Sequence, residues 1–394
     1  MENDARRIGR FDDERFMRRA LALARRALGR TSPNPMVGAV VVREGRVAGE
    51  GYHRYAGAAH AEVDALRRAG AQAQGATLYV TLEPCNHTGR TGPCCDAIVA
   101  SGVRRVVIAA NDPNPITDGR GIARLRRAGL SVEVGLLARE ARRLNEPFEK
   151  VMRTGLPLVI AKVGQSLDGK IATAGGRSRW ITSAASRHIA HRWRSRVDAV
   201  LVGVKTVLAD DPLLTDRSRM SMPRRQNRPI KIIVDSRLRT PLAAQCLSAR
   251  SPAPSLIATT HRSASARARA LARRGADVLR LPARRGRVPL RRLCRLLTAR
   301  RHIQSILIEG GGEVLAGALA ERIVDRVVFF IAPVLLGGRL APTSIAGAGI
   351  NRLSQAVQLA DVTYRRVGPD VCVEGRVIYP RRQASAVRGQ TPSS

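Results

Sequence analysis

Apolar runs and amphipathic stretches alternate along this chain almost from end to end. Phe16, Ala20, Leu21, Leu23, Ala24, Ala27 and Leu28 recur at helical spacing and predict an opening helix with one buried face, ended by Gly29 and a turn over 31–35. The continuous apolar run 37–42 predicts a buried strand, Glu44-Gly45 a turn, and 47–51 its hairpin partner. A helix is expected over 59–69, a strand over 76–82, a short helix over 94–101 ended by Gly102, and a strand over 103–110, followed by a loop at 112–115. This alternation, which runs to about residue 145, is that of a layered α/β domain. Charges, a glycine and a proline interrupt the pattern over 148–157, and it restarts at Leu158. Strands are then expected near 158–163, 198–203, 230–235, 254–259, 304–309 and 326–334. The resulting division is 1–150, 155–380 and a polar tail 381–394, whose composition is that of a disordered segment.

Composition changes this picture in two places. The longest apolar stretch, 327–336, is about half of the ~20 residues that a spanning helix needs, and the acidic N-terminus lacks the apolar core of a signal peptide. The chain is therefore expected to be cytoplasmic and free of membrane. The net charge of +37 points to nucleic acid or another anionic partner. Yet 63 of the 68 basic residues are Arg, a bias that fits a GC-rich coding sequence, and aromatics at 3% are too few for base-stacking platforms. The Arg-rich segment 262–301, with Asp277 as its one acid, reads as exposed helices with a solvated face. Small anionic molecules fit this chain better than nucleic acid does.

Three of the six cysteines fall within 85–95, a cluster that suits metal binding or catalysis rather than a disulfide framework. His60, Cys85 and Cys94 form a one-imidazole, two-thiolate set for Zn²⁺ that leaves the fourth tetrahedral position to water. Such a metal makes water nucleophilic near neutral pH, and Glu62, two residues beyond the imidazole, suits a general acid/base moving the proton to a leaving amine. The zinc-deaminase pattern H-x-E…P-C-x-x-C fits in part, since eight residues rather than two separate these cysteines. The alternative is a closed structural zinc with His87 as fourth ligand, which would leave Glu62 without a role. Cys95 reads as a spare thiol.

Further motifs surround this set: Pro33-Asn34-Pro35-Met36-Val37-Gly38, Gly51-Tyr52-His53, and Leu82-Glu83-Pro84-Cys85-Asn86-His87-Thr88-Gly89-Arg90-Thr91-Gly92-Pro93-Cys94. They resemble the deaminase half of the bifunctional riboflavin-biosynthesis deaminase–reductase family, whose long Cys–Cys loop separates it from cytidine and tRNA deaminases. The resemblance implies a cytidine-deaminase-like α/β/α domain that removes an amino group from a ribosylated, phosphorylated diaminopyrimidinone. It also implies that Asn34 and His53 touch the pyrimidine; on their residue types alone they could equally be a turn residue and a core histidine.

The second half has no G-x-G-x-x-G. Its segment 306–315 reads as strand, glycine turn and helix, which can cradle a phosphate or can simply be a tight turn. The motifs at 163–170, 178–183, 203–215 and 234–236 resemble the reductase half of the same family, which implies a dihydrofolate-reductase-like α/β domain using NADPH. By that resemblance Gly164, Trp180, Thr206, Asp210, Ser236, Gly311, Gly312, Glu313, Val314, Leu315, Ala316 and Gly317 contact NADPH, and Ser178, Arg194, Leu214, Arg217 and Glu309 contact substrate. It further implies a homodimer or larger homo-oligomer. Two other classes are to be weighed against this one: a nucleic-acid-base deaminase with a basic appendage, and a zinc-stabilised nucleic-acid-binding protein without activity.

Overall fold

The apolar run 37–42 becomes strand β1 (Gly38–Arg43), and its side chains part by period two. Ala39 and Val41 join a core with Ala61, Ala65, Cys95, Ile98 and Leu125, while Val40 and Val42 join another with Phe16, Met17, Ala20 and Tyr79. A strand buried on both faces is the centre of a three-layer sandwich. The computed structural model describes residues 2–87, 92–215, 228–248 and 253–381, with side chains from residue 12 onward.

Strands β1, β2 (Arg46–Tyr52), β3 (Thr77–Val80), β4 (Arg105–Ile108) and β5 (Ser131–Val134) form a five-stranded sheet in the order β2-β1-β3-β4-β5. β1 runs antiparallel to β2 and β3, and β3, β4 and β5 are parallel. Helices α1 (Glu2–Arg25), α2 (Ala61–Ala69), α3 (Cys94–Ala100), α4 (Arg120–Arg127), α5 (Ala138–Leu144) and α6 (Glu146–Thr154) complete this part. The last of them corrects the expected interruption at 148–157: Pro147 occupies the first turn, where its missing N–H costs nothing, and the helix runs on to Gly155 at φ +64.

By packing, the chain divides into two compact units, residues 1–158 with 188–307, and residues 159–187 with 308–394. The first unit therefore also contains helices α7 (Ala184–Arg194, in its larger part), α8 (Val204–Asp210), α9 (Ser265–Arg273) and α10 (Leu290–Arg301). Its second run of strands is β7 (Ala199–Gly203), β8 (Ile230–Val234), β9 (Ser255–Thr260) and β10 (Ala276–Leu281), parallel in the order β10-β9-β8-β7, with β11 (Ser305–Glu309) beside β7. β10 corrects the expectation of helices throughout 262–301. Its interior positions carry Asp277 and Arg280, and this hides the strand period. In the second unit β12 (Arg326–Ala332) pairs parallel with β6 (Leu158–Ser166) and antiparallel with β14 (Asp370–Ile378), which pairs with β13 (Gln358–Val367). The hairpin β13–β14 was not foreseen, because β13 is mostly exposed and rich in charge. Helix α11 (Gly312–Ala320) follows β11. Among the described residues no helix is long and apolar enough to cross a membrane.

Two glycines of β2 bring α2 to its position. A Cβ on Gly49 would lie 2.2 Å from the Ala65 carbonyl oxygen, and one on Gly51 would lie 2.3 Å from the Ala61 carbonyl oxygen. Strand and helix thus touch backbone to backbone just below the N-terminus of α2, which no side chain at either position permits. Gly51→Ala is expected to push α2 outward and cost about 1–3 kcal/mol of stability, read as a lower urea midpoint with faster loss of metal to a chelator.

Candidate active site

His60 is the residue before α2 and Cys94 the first residue of α3, so both helix N-termini face the loop that carries Cys85 at the end of β3. The ligand atoms of His60, Cys85 and Cys94 lie within 4.8 Å of one another, and among the described residues they are the group that can hold a metal ion. His60 Nδ1 is 2.9 Å from Cys94 Sγ and 3.6 Å from Cys85 Sγ, and the Cys94 backbone N–H donates to Cys85 Sγ at 3.3 Å. A tetrahedral zinc with one nitrogen and two sulfur ligands sets the N–S edges at about 3.6 Å. One edge has that length already, and the other opens by a fraction of an ångström. The Cys94 thiol and His60 push the Cys85 thiol well below its ordinary value, and Cys94 is pushed up in return. Two sulfurs sharing one proton at this range hold the negative charge a divalent cation needs, so the donor set fits zinc.

Glu62, in the first turn of α2, is 3% exposed and faces the Cys94 sulfur. Burial pushes its carboxyl up to about 7. His87 is exposed and stands apart from the metal-binding group, which leaves that group with three ligands and disfavours the closed site. The thiol of Cys95 is buried against the carbonyl oxygens of Pro84 and Gly121, at 3.6 and 3.7 Å, and burial pushes it up to about 12. It is a packing residue.

Asn34 and His53 belong to the same place. Asn34 Nδ2 is 3.1 Å from His53 Nε2, His53 Nδ1 is 3.2 Å from the Ala59 carbonyl oxygen, and the His53 and His60 rings meet edge to face at 5.5 Å. With Nδ1–H donated to Ala59, Nε2 is left to accept from the Asn34 amide. Burial pushes the His53 imidazole below its ordinary value.

Sequence reasoning missed Glu83. This carboxylate is 3% exposed and accepts four backbone N–H groups, from Asp112 (3.2 Å) and Gly119 (3.0 Å) on one oxygen and from Gly121 (3.0 Å) and Ile122 (3.2 Å) on the other. An acid within an apolar strand end was the available signal, since such a group is buried only when saturated with donors.

The positions expected for the reductase fall in both units. In the first, Arg194 Nη1 donates to the Thr215 carbonyl at 2.8 Å, Leu214 is buried at φ +54, Thr206 and Asp210 lie on α8, and Ser236 Oγ accepts the Val288 N–H at 3.2 Å. In the second, Thr182 packs against the open side of Gly164, and Trp180 is 69% exposed with the Arg187 guanidinium 4.4 Å over its ring, so it is not core packing. Glu309, buried at the end of β11, lies 3.9 Å from Lys162, a second residue the sequence reading overlooked. Gly310 and Gly311, at φ +83 and +84, make the turn into α11, whose first turn comprises Gly312, Glu313, Val314 and Leu315, followed by Ala316 and Gly317. Gly312 lies so close to the Thr343 carbonyl that a Cβ there would be 2.3 Å away. Ser178 precedes Trp180 in the same segment and is half-buried. Arg217 and the Gly89-Arg90-Thr91 stretch lie outside the described residues.

Residues 11–110 match the family model of the cytidine and deoxycytidylate deaminase zinc-binding region, and residues 157–373 match that of the RibD C-terminal domain. The riboflavin biosynthesis protein RibD of Aquifex aeolicus is 44% identical over 92% of this chain and 97% of its own length; that of Escherichia coli K12 is 43% identical over 92% and 99%. The chain belongs to the RibD family. Of solved structures, Acinetobacter baumannii RibD superposes with a TM-score of 0.83 at 37% identity, covering 94% of this chain and all of that one. The Thermotoga maritima diaminohydroxyphosphoribosylaminopyrimidine deaminase/5-amino-6-(5-phosphoribosylamino)uracil reductase does so at 0.79 and 34%, with the same coverage. The chain is thus a riboflavin-biosynthesis enzyme with a zinc-dependent deaminase region, cytidine-deaminase-like in fold, and an NADPH-dependent, dihydrofolate-reductase-like region.

Replacing Glu83 with Ala strands four buried N–H groups, each costing about 1–3 kcal/mol when bare. The expected result is a loss of at least about 3 kcal/mol by urea titration, with deamination falling before reduction as denaturant rises.

Proposed function

We propose that this chain deaminates 2,5-diamino-6-(5-phosphoribosylamino)pyrimidin-4(3H)-one and then reduces the ribosyl group of the product to ribityl. The observation that carries the reading is the convergence of His60, Cys85 and Cys94 on a site beside a buried carboxyl, Glu62. Bound there, zinc acts as a Lewis acid and makes water nucleophilic at neutral pH. Glu62 takes the proton from the attacking water and hands it to the leaving amine, a role suited to a carboxyl that burial brings near neutrality. The His53 ring, fixed by Ala59, holds the N–H end of the Asn34 amide, so the carbonyl end is turned away from it, toward the pyrimidine.

For the reduction, NADPH supplies hydride to C1 of the opened ribose. Gly164, Trp180, Thr206, Asp210, Ser236 and the stretch 311–317 hold the cofactor. The two left-handed glycines before α11 support this, since they turn a helix N-terminus and its N–H groups outward for a phosphate. Ser178, Arg194, Leu214, Arg217 and Glu309 contact substrate.

Residues 1–150 make the deaminase domain and 155–380 the reductase domain. The enzyme works in the cytoplasm on small phosphoribosyl pyrimidines rather than nucleic acid. It assembles as a homodimer or larger homo-oligomer through its reductase half, a reading supported by Leu335, Leu340, Leu353 and Tyr364, which are 73%, 86%, 91% and 73% exposed. Light scattering of the purified chain is expected to give at least twice the monomer mass, and a monomer would refute the assembly.

Product masses with and without NADPH test the whole reading. Deaminated product is expected without cofactor and ribityl product once NADPH is added; no conversion by folded, zinc-loaded protein would overturn it. Glu62→Gln is expected to lower the deaminase kcat by about 10²–10⁴ while zinc content and reduction of supplied deaminated intermediate stay unchanged. A variant that still deaminates at full rate would remove Glu62 from the proton path.

A further inference from the structure

The segment that presents Asn34 is short, irregular and held at three points. The Asn34 N–H donates to the Thr31 carbonyl at 2.8 Å. The side chain of Asn145, itself 2% exposed, clamps Met36 by accepting its N–H at 2.7 Å and donating to its carbonyl at 2.9 Å. The third hold comes from far along the chain: Gln304 Nε2 donates to the Pro33 carbonyl at 2.7 Å. Pro33 lies in the stretch matched to the deaminase zinc-binding region and Gln304 in the stretch matched to the RibD C-terminal domain, and both belong to the first compact unit.

Gln304 is built to point there. It is 5% exposed, its N–H donates to Asp198 Oδ2 at 2.9 Å, and its carbonyl accepts from the Leu158 N–H at 2.7 Å. The same Asp198 oxygen takes the N–H and hydroxyl of Ser305, so the backbone that carries the glutamine is fixed on both sides. A second contact lies nearby. Gly29, at φ +74, is so close to residue 195 that a Cβ would meet the Ser195 carbonyl oxygen at 2.4 Å. The turn after α1 therefore rests on the C-terminal region at two places, Gly29 and Pro33, either side of Thr31.

We propose that Gln304, a residue of the reductase region, is a positioning residue for deamination: by holding the Pro33 carbonyl it sets the adjacent Asn34 amide against His53 and toward the pyrimidine. The proposal rests on the reading of Asn34 as a substrate contact. Its chemistry is selective. The peptide unit joining Pro33 to Asn34 has two polar handles, the Asn34 N–H given to Thr31 and the Pro33 carbonyl held by Gln304, and on the exposed Pro33 a carbonyl that loses its donor turns to water. That swing rotates the peptide joining Pro33 to Asn34 and carries the amide out of line, while the zinc ligands and Glu62, on α2, α3 and the Cys85 loop, stay in place.

The test uses the full-length, zinc-loaded enzyme with the two reactions assayed separately. Gln304→Met, similar in length but unable to donate, is expected to raise the deaminase KM roughly three- to tenfold, the size of one partly buried hydrogen bond, with deaminase kcat within about twofold. Zinc content and reduction of supplied deaminated intermediate are expected to match the parent enzyme. Gln304→His, whose ring N–H can reach the same carbonyl, is expected to recover KM. Gln304→Glu, read at neutral pH, replaces Gln304→Met if that variant fails to fold. An unchanged deaminase KM in a folded, donor-less variant overturns the proposal, and so does a parallel loss of both activities, which would mark Gln304 as structural. Asn34→Ala separates the premise from the inference. If it leaves KM unchanged, the reading of Asn34 fails and the proposal with it; if it raises KM while Gln304→Met does not, only the role of Gln304 fails.

Discussion

The carboxylate of Glu83 sits where the chain leaves β3 for Cys85, and both its oxygens are taken by backbone N–H groups of one distant segment, at Asp112, Gly119, Gly121 and Ile122. Parallel strands need a crossover, and the turns at their C-terminal ends leave N–H groups without ladder partners. One buried anion collects four of them, including two in the first turn of α4, where negative charge is also favoured by the helix dipole. The position of the metal loop and that of the 112–119 rim thereby become one constraint. Gly121 shows how tight the constraint is, since a Cβ there would lie 2.1 Å from the Pro84 carbonyl oxygen, one residue from a zinc ligand. The catalytic geometry follows: Cys85 is fixed by Glu83 and Pro84, Cys94 by the start of α3, and His60 and Glu62 by an α2 drawn down onto glycine positions of β2.

Much of this site was legible because its chemistry needs rare residue types at short spacing. His60, Cys85 and Cys94 announce a ligand set, and Glu62 a carboxyl beside it, before any fold is known, and period-two burial makes strands such as β1 easy to see. The parts that escaped share another cause. Glu83, Gln304 and Asn145 act on backbone groups remote in sequence, and nothing local distinguishes a glutamine that holds a distant carbonyl from one in solvent. The strand β10 and the hairpin β13–β14 escaped because they lie at or near the edges of their strand runs, where exposed positions take charge and break the apolar period.

The arginine excess has a mixed structural role. Arg105 is partly buried and bridges Asp13 and Glu133, tying α1 to β4 and β5, and Asp13 also accepts the Tyr79 hydroxyl. Arg54, Arg67 and Arg68 surround the buried Asp64 on α2. Most of the other ion pairs are exposed, such as Arg301 with Asp277 and Arg376 with Asp361, and pairs of that kind contribute 0–1 kcal/mol at most by typical measure, roughly nothing in salt. With 68 basic residues against 31 acids, positive groups outnumber negative ones by more than two to one. They raise the positive potential around the chain and favour the encounter with small anions, a long-range effect that salt removes and that asks nothing of any single arginine.

The distribution of anchors also bears on why two activities share one chain. The segment 31–36 has no secondary structure to hold it; one hold, from Asn34 to Thr31, lies inside the segment, and a second, Asn145, lies within the first 150 residues. The third, Gln304, is held through Asp198 and Leu158 by the region matched to the reductase. A loop residue that must meet a substrate edge to within a few tenths of an ångström gains from every independent anchor, because each removes a rotation that binding would otherwise have to freeze. In such an arrangement the second region is part of the scaffold of the first site. If Asn34 meets the pyrimidine as proposed, fusion of the two has a local physical consequence there, separate from any passage of intermediate between the two reactions.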